Sequence, residues 1–168
     1  MKSKFLHWFA ILLILEIGLL HIDIDGNDYW VWEALGAIEP AIAIVEYNSV
    51  FGPERAITVP YQPDFDRTRA HPSNLYFGAS LAALRGLAER KGYVFIGCNS
   101  AGNNAYFVRR EYAGQLSELV SSAHYVESAF RESRDEGGKL TYLGGATRLE
   151  LIRGLPVVNV ATMQVEAI

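Results

Sequence analysis

One cysteine, Cys98, in 168 residues excludes an internal disulfide and any metal centre built from several thiolates, and a reducing, cytoplasmic setting fits such a chain. Charge is scarce as well. A fifth of the residues are charged, the formal net charge is -4, and acids and bases are interspersed. No face gathers Lys and Arg, so no nucleic acid is expected as a partner. Phosphate-loop signals are missing too. Gly97-Cys-Asn-Ser-Ala-Gly102 has the spacing of two loop glycines but lacks the Lys-Ser/Thr that must follow, and no G-x-G-x-x-G occurs. There is no internal repeat, heptad or low-complexity tract, and no Ser/His/Asp constellation.

What is present is a chain half apolar in composition, long enough to bury a core without staples. Residues 5–20 form an apolar run broken by His7, Glu16 and Gly18. It mimics a signal sequence, but no small-residue cleavage site follows, and Glu16 interrupts the only stretch of spanning length. Burial in the fold is expected, with membrane association through residues 5–20 as the alternative.

The run at 19–24, rich in Leu and Ile, ends in Gly-Asn and suits a strand buried on both faces, as in a parallel sheet. A helix over 29–37 should follow, with Asp28 at its N-cap and Pro40 as a stop. Residues 41–45 make the next strand, which runs out into Glu46-Tyr47-Asn48. Residues 51–76, punctuated by Pro53, Pro60, Pro63 and Pro72, read as a long loop whose aromatics favour an ordered lid. Ser80 caps a helix over 81–91 that Gly92 ends. Strands at 93–97 and 105–109 form a hairpin around Asn99 to Asn104. Beyond 110 the sequence predicts modest helices near 111–120 and 126–134, then a Gly-punctuated stretch and an apolar tail.

This order argues for an α/β fold, parallel strands ending in an antiparallel hairpin with helices on the faces. Ligands of such sheets bind at the carboxyl ends of the strands, where Asp25, Asp28, Glu46 and Asn48 would gather. Those oxygens suit a divalent metal or, without one, a polar substrate or a general base. Asp25 and Asp28 also have a plainer role, shaping the turn and capping the helix. Asn99, Ser100, Asn103 and Asn104 supply amides and a hydroxyl near the same rim, although turn geometry alone accounts for them. His21 reads as a core residue, and Cys98 as a small buried thiol.

Ile22-Asp-Ile-Asp-Gly-Asn-Asp-Tyr-Trp, followed by Ala43-Ile-Val-Glu-Tyr-Asn, resembles the second half of an FkbM-type SAM-dependent methyltransferase. The likeness continues through Gly78-Ala-Ser-Leu, Lys91-Gly-Tyr and Gly97-Cys-Asn-Ser-Ala-Gly. It implies a Rossmann-like sheet over 19–110, preceded by an apolar segment (1–18) and followed by a helical and irregular extension (111–168). It implies S-adenosylmethionine as cofactor near Asp23, Asp25, Gly26, Asn27 and Asp28. Catalysis would fall to Asp25, Glu46 and Asn48, with Tyr47, Asn99, Ser100 and Asn104 toward a small-molecule substrate, a polar or sugar-like acceptor of a methyl group on oxygen. The family's glycine-rich donor-binding turn lies upstream of the matched segment, and the residues before Leu19 contain none. The chain then reads as a truncated enzyme, with two alternatives: a non-catalytic binding module that keeps half the fold, or a divalent-metal-assisted hydrolase. A half sheet also leaves an edge at 19–24 open to pairing, so self-association is expected.

Overall fold

The computed structural model describes residues 17–168. The expectation for the apolar run falls mainly on residues 1–16, outside the described residues. Among the described residues, no helix is long and apolar enough to cross a membrane.

A four-stranded mixed sheet carries the first core. Strands β1 (Leu19–Ile22) and β2 (Ile42–Glu46) are parallel, in register from Leu19 opposite Ile42 to Ile22 opposite Val45. Strands β4 (Tyr93–Cys98) and β5 (Asn104–Arg109) form the expected hairpin. Its second strand lies antiparallel beside β2, giving the order β1-β2-β5-β4. Helices α1 (Asp28–Ala34) and α3 (Leu81–Arg90) cover one face, packing Tyr29, Trp32, Leu84 and Leu87 on Ala43, Val45, Ala105 and Phe107.

The sheet is not buried evenly on both sides. Along β2, Ala43 and Val45 are buried while Ile42 and Ile44 are half-buried, and Leu19 of β1 is 53% exposed. The expected double burial fails for β1 because, among the described residues, it is the edge strand and the second face has only partial cover. It is also shorter than predicted, since Asp23 and Ile24 leave the sheet.

Helix α3 begins as the sequence indicates, with the Ser80 hydroxyl accepting from the Ala83 amide. Helix α1 differs. Asp28 is its first residue rather than its cap, and the helix stops at Ala34 rather than near 37. The loop over 51–76 is ordered: it contains strand β3 (Ile57–Thr58) and the short helix α2 (Arg67–Ala70), capped by Asp66.

The C-terminal part departs furthest from expectation. A 3-10 turn over Arg110–Leu116 runs into α4 (Ser117–Ser122), but residues 126–134 are irregular rather than helical. Their backbone is claimed from outside: Tyr47 donates to the Val126 carbonyl, Ser128 N–H to Ser49 Oγ, and Ala129 N–H to the Ala101 carbonyl. Gly102 makes the close approach feasible. A Cβ there would lie 2.5 Å from the Glu127 carbonyl, and its φ of +73° is the left-handed conformation glycine adopts freely.

Helix α5 (Ala146–Leu151) follows, and the tail becomes a hairpin of β6 (Pro156–Asn159) and β7 (Gln164–Ala167). Strand β6 pairs antiparallel with β3, forming a second sheet, β3-β6-β7. A second core lies beside it, built from Val50, Phe51, Ile57, Val59, Leu75, Tyr76, Ile152 and Val157.

Candidate functional site

The acidic turn after β1 is shaped by a carboxylate folded back on it. Asp28, fully buried, accepts from the backbone N–H of Ile24 and of Gly26, both at 2.9 Å. Burial nevertheless outweighs those bonds and raises its pKa. Asp25 lies in the left-handed region at φ 55° and is exposed.

The neighbouring turn residues hold the loop from the sixties. A Cβ on Gly26 would lie 2.1 Å from Cδ1 of Phe65, so the ring occupies the space a side chain would need. Asn27 Nδ2 donates to the Gln62 carbonyl at 2.7 Å, and Trp30 Nε1 donates to that of Val59 at 2.9 Å.

At the carboxyl end of β2, Glu46 is only 7% exposed, and its buried Oε2 has no hydrogen-bond partner. Burial first, then the charges of Asp28, Asp23 and Asp25, raise its pKa to about 9, with Arg67 opposing. It is therefore a neutral acid at physiological pH. Tyr47, whose hydroxyl burial pushes upward, is spent on Val126. Asn48 is fully engaged: its Nδ2 donates to the carbonyls of Leu75 (2.8 Å) and Phe77 (3.0 Å), and its Oδ1 accepts from Val50 N–H. That amide braces the chain around β2.

Two arginines complete the site. From α2, Arg67 pairs with Asp25 at 2.9 Å and with Glu132, donates through Nε to the Asn74 carbonyl, and lies 3.8 Å over the Phe77 ring. From α5, Arg148 is 4% exposed and pairs through Nη2 with Glu127 at 2.6 Å, while its buried Nε has no partner.

These side chains surround a cavity of about 310 Å³ lined by the charged residues Asp23, Asp25, Glu46, Arg67, Glu132 and Arg148 and by the apolar Leu75, Phe77 and Phe130. Among the residues singled out from the sequence, Asp23, Asp25, Glu46, Tyr47, Asn48 and Asn103 line it. Gly26, Asn27 and Asp28 do not; they serve the turn.

The hairpin residues separate in the same way. Asn99 Oδ1 accepts from the N–H of Gly102, Asn103 and Asn104, each at 3.1 Å, closing the turn. Ser100 is exposed at its tip, and Asn104 Oδ1 meets His21 Nε2 at 3.3 Å. Only Asn103 of that turn reaches the cavity. His21 is exposed rather than in the core, because among the described residues little covers its side of the edge strand. Cys98 is half-buried, and burial raises its thiol's pKa.

Among the described residues, no group of three or more His, Cys, Asp and Glu is disposed to hold a metal ion. Sequence reasoning missed Arg67, Phe77, Ser128, Phe130, Glu132 and Arg148. Arg67 and Phe77 carried one available signal, since they lie within or beside a long Pro-rich loop of the kind that often bears function. The chain matches no protein-family model, no curated protein and no solved structure.

Proposed function

We propose that the chain binds a small polar molecule in this cavity, as the acceptor-holding half of a methyltransferase-like fold whose reaction is methyl transfer to an acceptor oxygen. The observation that carries the reading is Glu46: a buried carboxyl whose Oε2 has no internal partner, at the carboxyl end of β2, facing a cavity of about 310 Å³. A buried polar group left unpaired costs stability, and a ligand at that position supplies the missing bond. A neutral carboxyl both donates and accepts a hydrogen bond, which suits a hydroxyl. Arg148 Nε adds a donor for a second ligand oxygen. The sheet supports the fold assignment, since a parallel pair followed by a hairpin is the arrangement the resemblance implies.

The residues assigned to S-adenosylmethionine fit it poorly. Asp23 and Asp25 face the cavity, but the space beside Gly26 is filled by Phe65, the amide of Asn27 is bonded to Gln62, and Asp28 is turned onto the backbone. The methyl donor would need groups beyond these.

That same engagement of the turn favours a second reading, a binding module without catalysis. Calorimetry with S-adenosylmethionine and with its demethylated product separates the two. Binding of either at millimolar concentration supports methyl transfer. No binding removes the enzyme and leaves the binding module.

A further inference from the structure

The charges around the cavity are unevenly matched. Arg67 is used up by Asp25, Glu132 and the Asn74 carbonyl. Arg148 is already matched through Nη2 by Glu127, so only its Nε remains. Left over are Asp23, whose ion-pairing contact is to the ring nitrogen of His21, Nε2 at 3.8 Å, and the Glu46 carboxyl. Both Glu46 and Arg148 are more than nine-tenths buried, line the same cavity, and hold polar atoms with no partner. The unmet demand is for a cation on the Glu46 and Asp23 side and for an acceptor on the Arg148 side.

We propose that the cavity takes a small amino compound, whose protonated amine lies against Glu46 and Asp23 and whose neighbouring oxygen accepts from Arg148 Nε. The inference rests on the cavity's being the ligand site and adds the ligand's chemical class. A neutral polyol satisfies Glu46 with its proton in place, but it leaves the acidic surplus at Asp23 unmatched. An ammonium answers both, because charge-assisted hydrogen bonds are stronger than neutral ones.

The two ligand classes differ in a proton. Glu46 is faced by Asp23 and Asp25 from the turn after β1, by Asp28 from the start of α1 and by Arg67 from α2, and shares the cavity with Glu132 and with Arg148 from α5. The surrounding acids help keep it protonated. A cation entering beside it reverses that balance, and the carboxyl ionises. Binding of an amine near neutral pH therefore releases the Glu46 proton to solvent, whereas binding of a polyol releases none.

Matched probes test this on the full chain: L-serine against glycerate, and ethanolamine against ethylene glycol, each titrated by calorimetry near neutral pH in two buffers of different ionisation enthalpy. The expected result is that the amine of at least one pair binds about tenfold or more tightly than its hydroxyl counterpart. It should release about one proton per molecule bound, and Glu46→Gln should abolish both the preference and the proton. Glutamine keeps the shape of the side chain, and the wild-type proton count stands without the variant. Equal or tighter binding of the hydroxyl compounds, without proton release, overturns the amine while leaving the cavity as the ligand site. Failure of all four probes to bind at millimolar concentration overturns both.

Discussion

Glu46 is the residue at which burial and chemistry collide. Its carboxyl ionises near 4.5 in an ordinary setting and near 9 in the folded chain, so between those values the native state holds a proton that the unfolded state has lost. Its contribution to stability is complete below the unfolded pKa, declines as pH rises, and is lost through the folded pKa. Glu46→Gln removes that dependence. The variant is expected to match wild type near the acid end of the window and to be more stable by roughly 2–3 kcal/mol at about pH 6.5. Urea denaturation at a series of pH values measures the difference. Asp28, raised in the same direction, is present in both proteins and cancels. Parallel wild-type and variant curves would mean that Glu46 is solvated and ionised. Position alone made the acid visible in the sequence, as the residue that ends an apolar strand. That it lacks a partner was not visible, because its surroundings come from segments up to a hundred residues away.

At the scale of elements, the turn after β1 and the loop of the sixties form one unit, joined where Phe65 fills the space beside Gly26 and where Asn27 holds Gln62. Gly26 is thus required for contact rather than for backbone freedom, since its φ is not positive. Gly26→Ala should displace the Phe65 ring and with it the chain leading to Arg67. A cost of about 1–3 kcal/mol is expected for such overpacking. Phe65→Ala makes room for the new methyl, so the double variant should be less destabilised than the sum of the singles by about 1 kcal/mol or more. Thermal denaturation of the four proteins completes the cycle, and strict additivity would place the ring elsewhere.

The strands of the first sheet, α3 and the hairpin of β4 and β5 were legible because each owes its form to local signals: apolar runs, the Ser80 cap, the polar turn at Asn99 to Asn104. The irregular course of 126–134 was not. Its helix-compatible composition yields to hydrogen bonds offered by Tyr47, Ser49 and Ala101, which no local pattern announces. The sites of Arg67 and Arg148 were hidden for the same reason.

Across the whole molecule, the C-terminal hairpin ties the cavity together at a distance. Strand β6 supplies β3 with its partner in the second sheet, Tyr76 donates to the Pro156 carbonyl, and Val160 N–H reaches the Ala56 carbonyl at 2.9 Å. Ile152 and Val157, both fully buried, fill the second core beside Phe51 and Tyr76. Ile152 directly follows α5, and α5 carries Arg148 into the cavity. Deleting residues 156–168 therefore removes more than two strands: it uncovers the second core and frees the helix that positions Arg148. Loss of Val157 and exposure of Ile152 alone should cost about 3–5 kcal/mol. The truncated chain is expected to unfold at markedly lower urea, with amide exchange accelerated most at Thr58, whose ladder partner Val158 is gone, and less at Ile57, whose N–H donates to Ser80 Oγ. Exchange at β2 and β5 should be less affected, because their pairing lies in the other sheet. An unchanged unfolding midpoint would show that the two sheets are stable independently, and that Arg148 is held by Glu127 rather than by the second core.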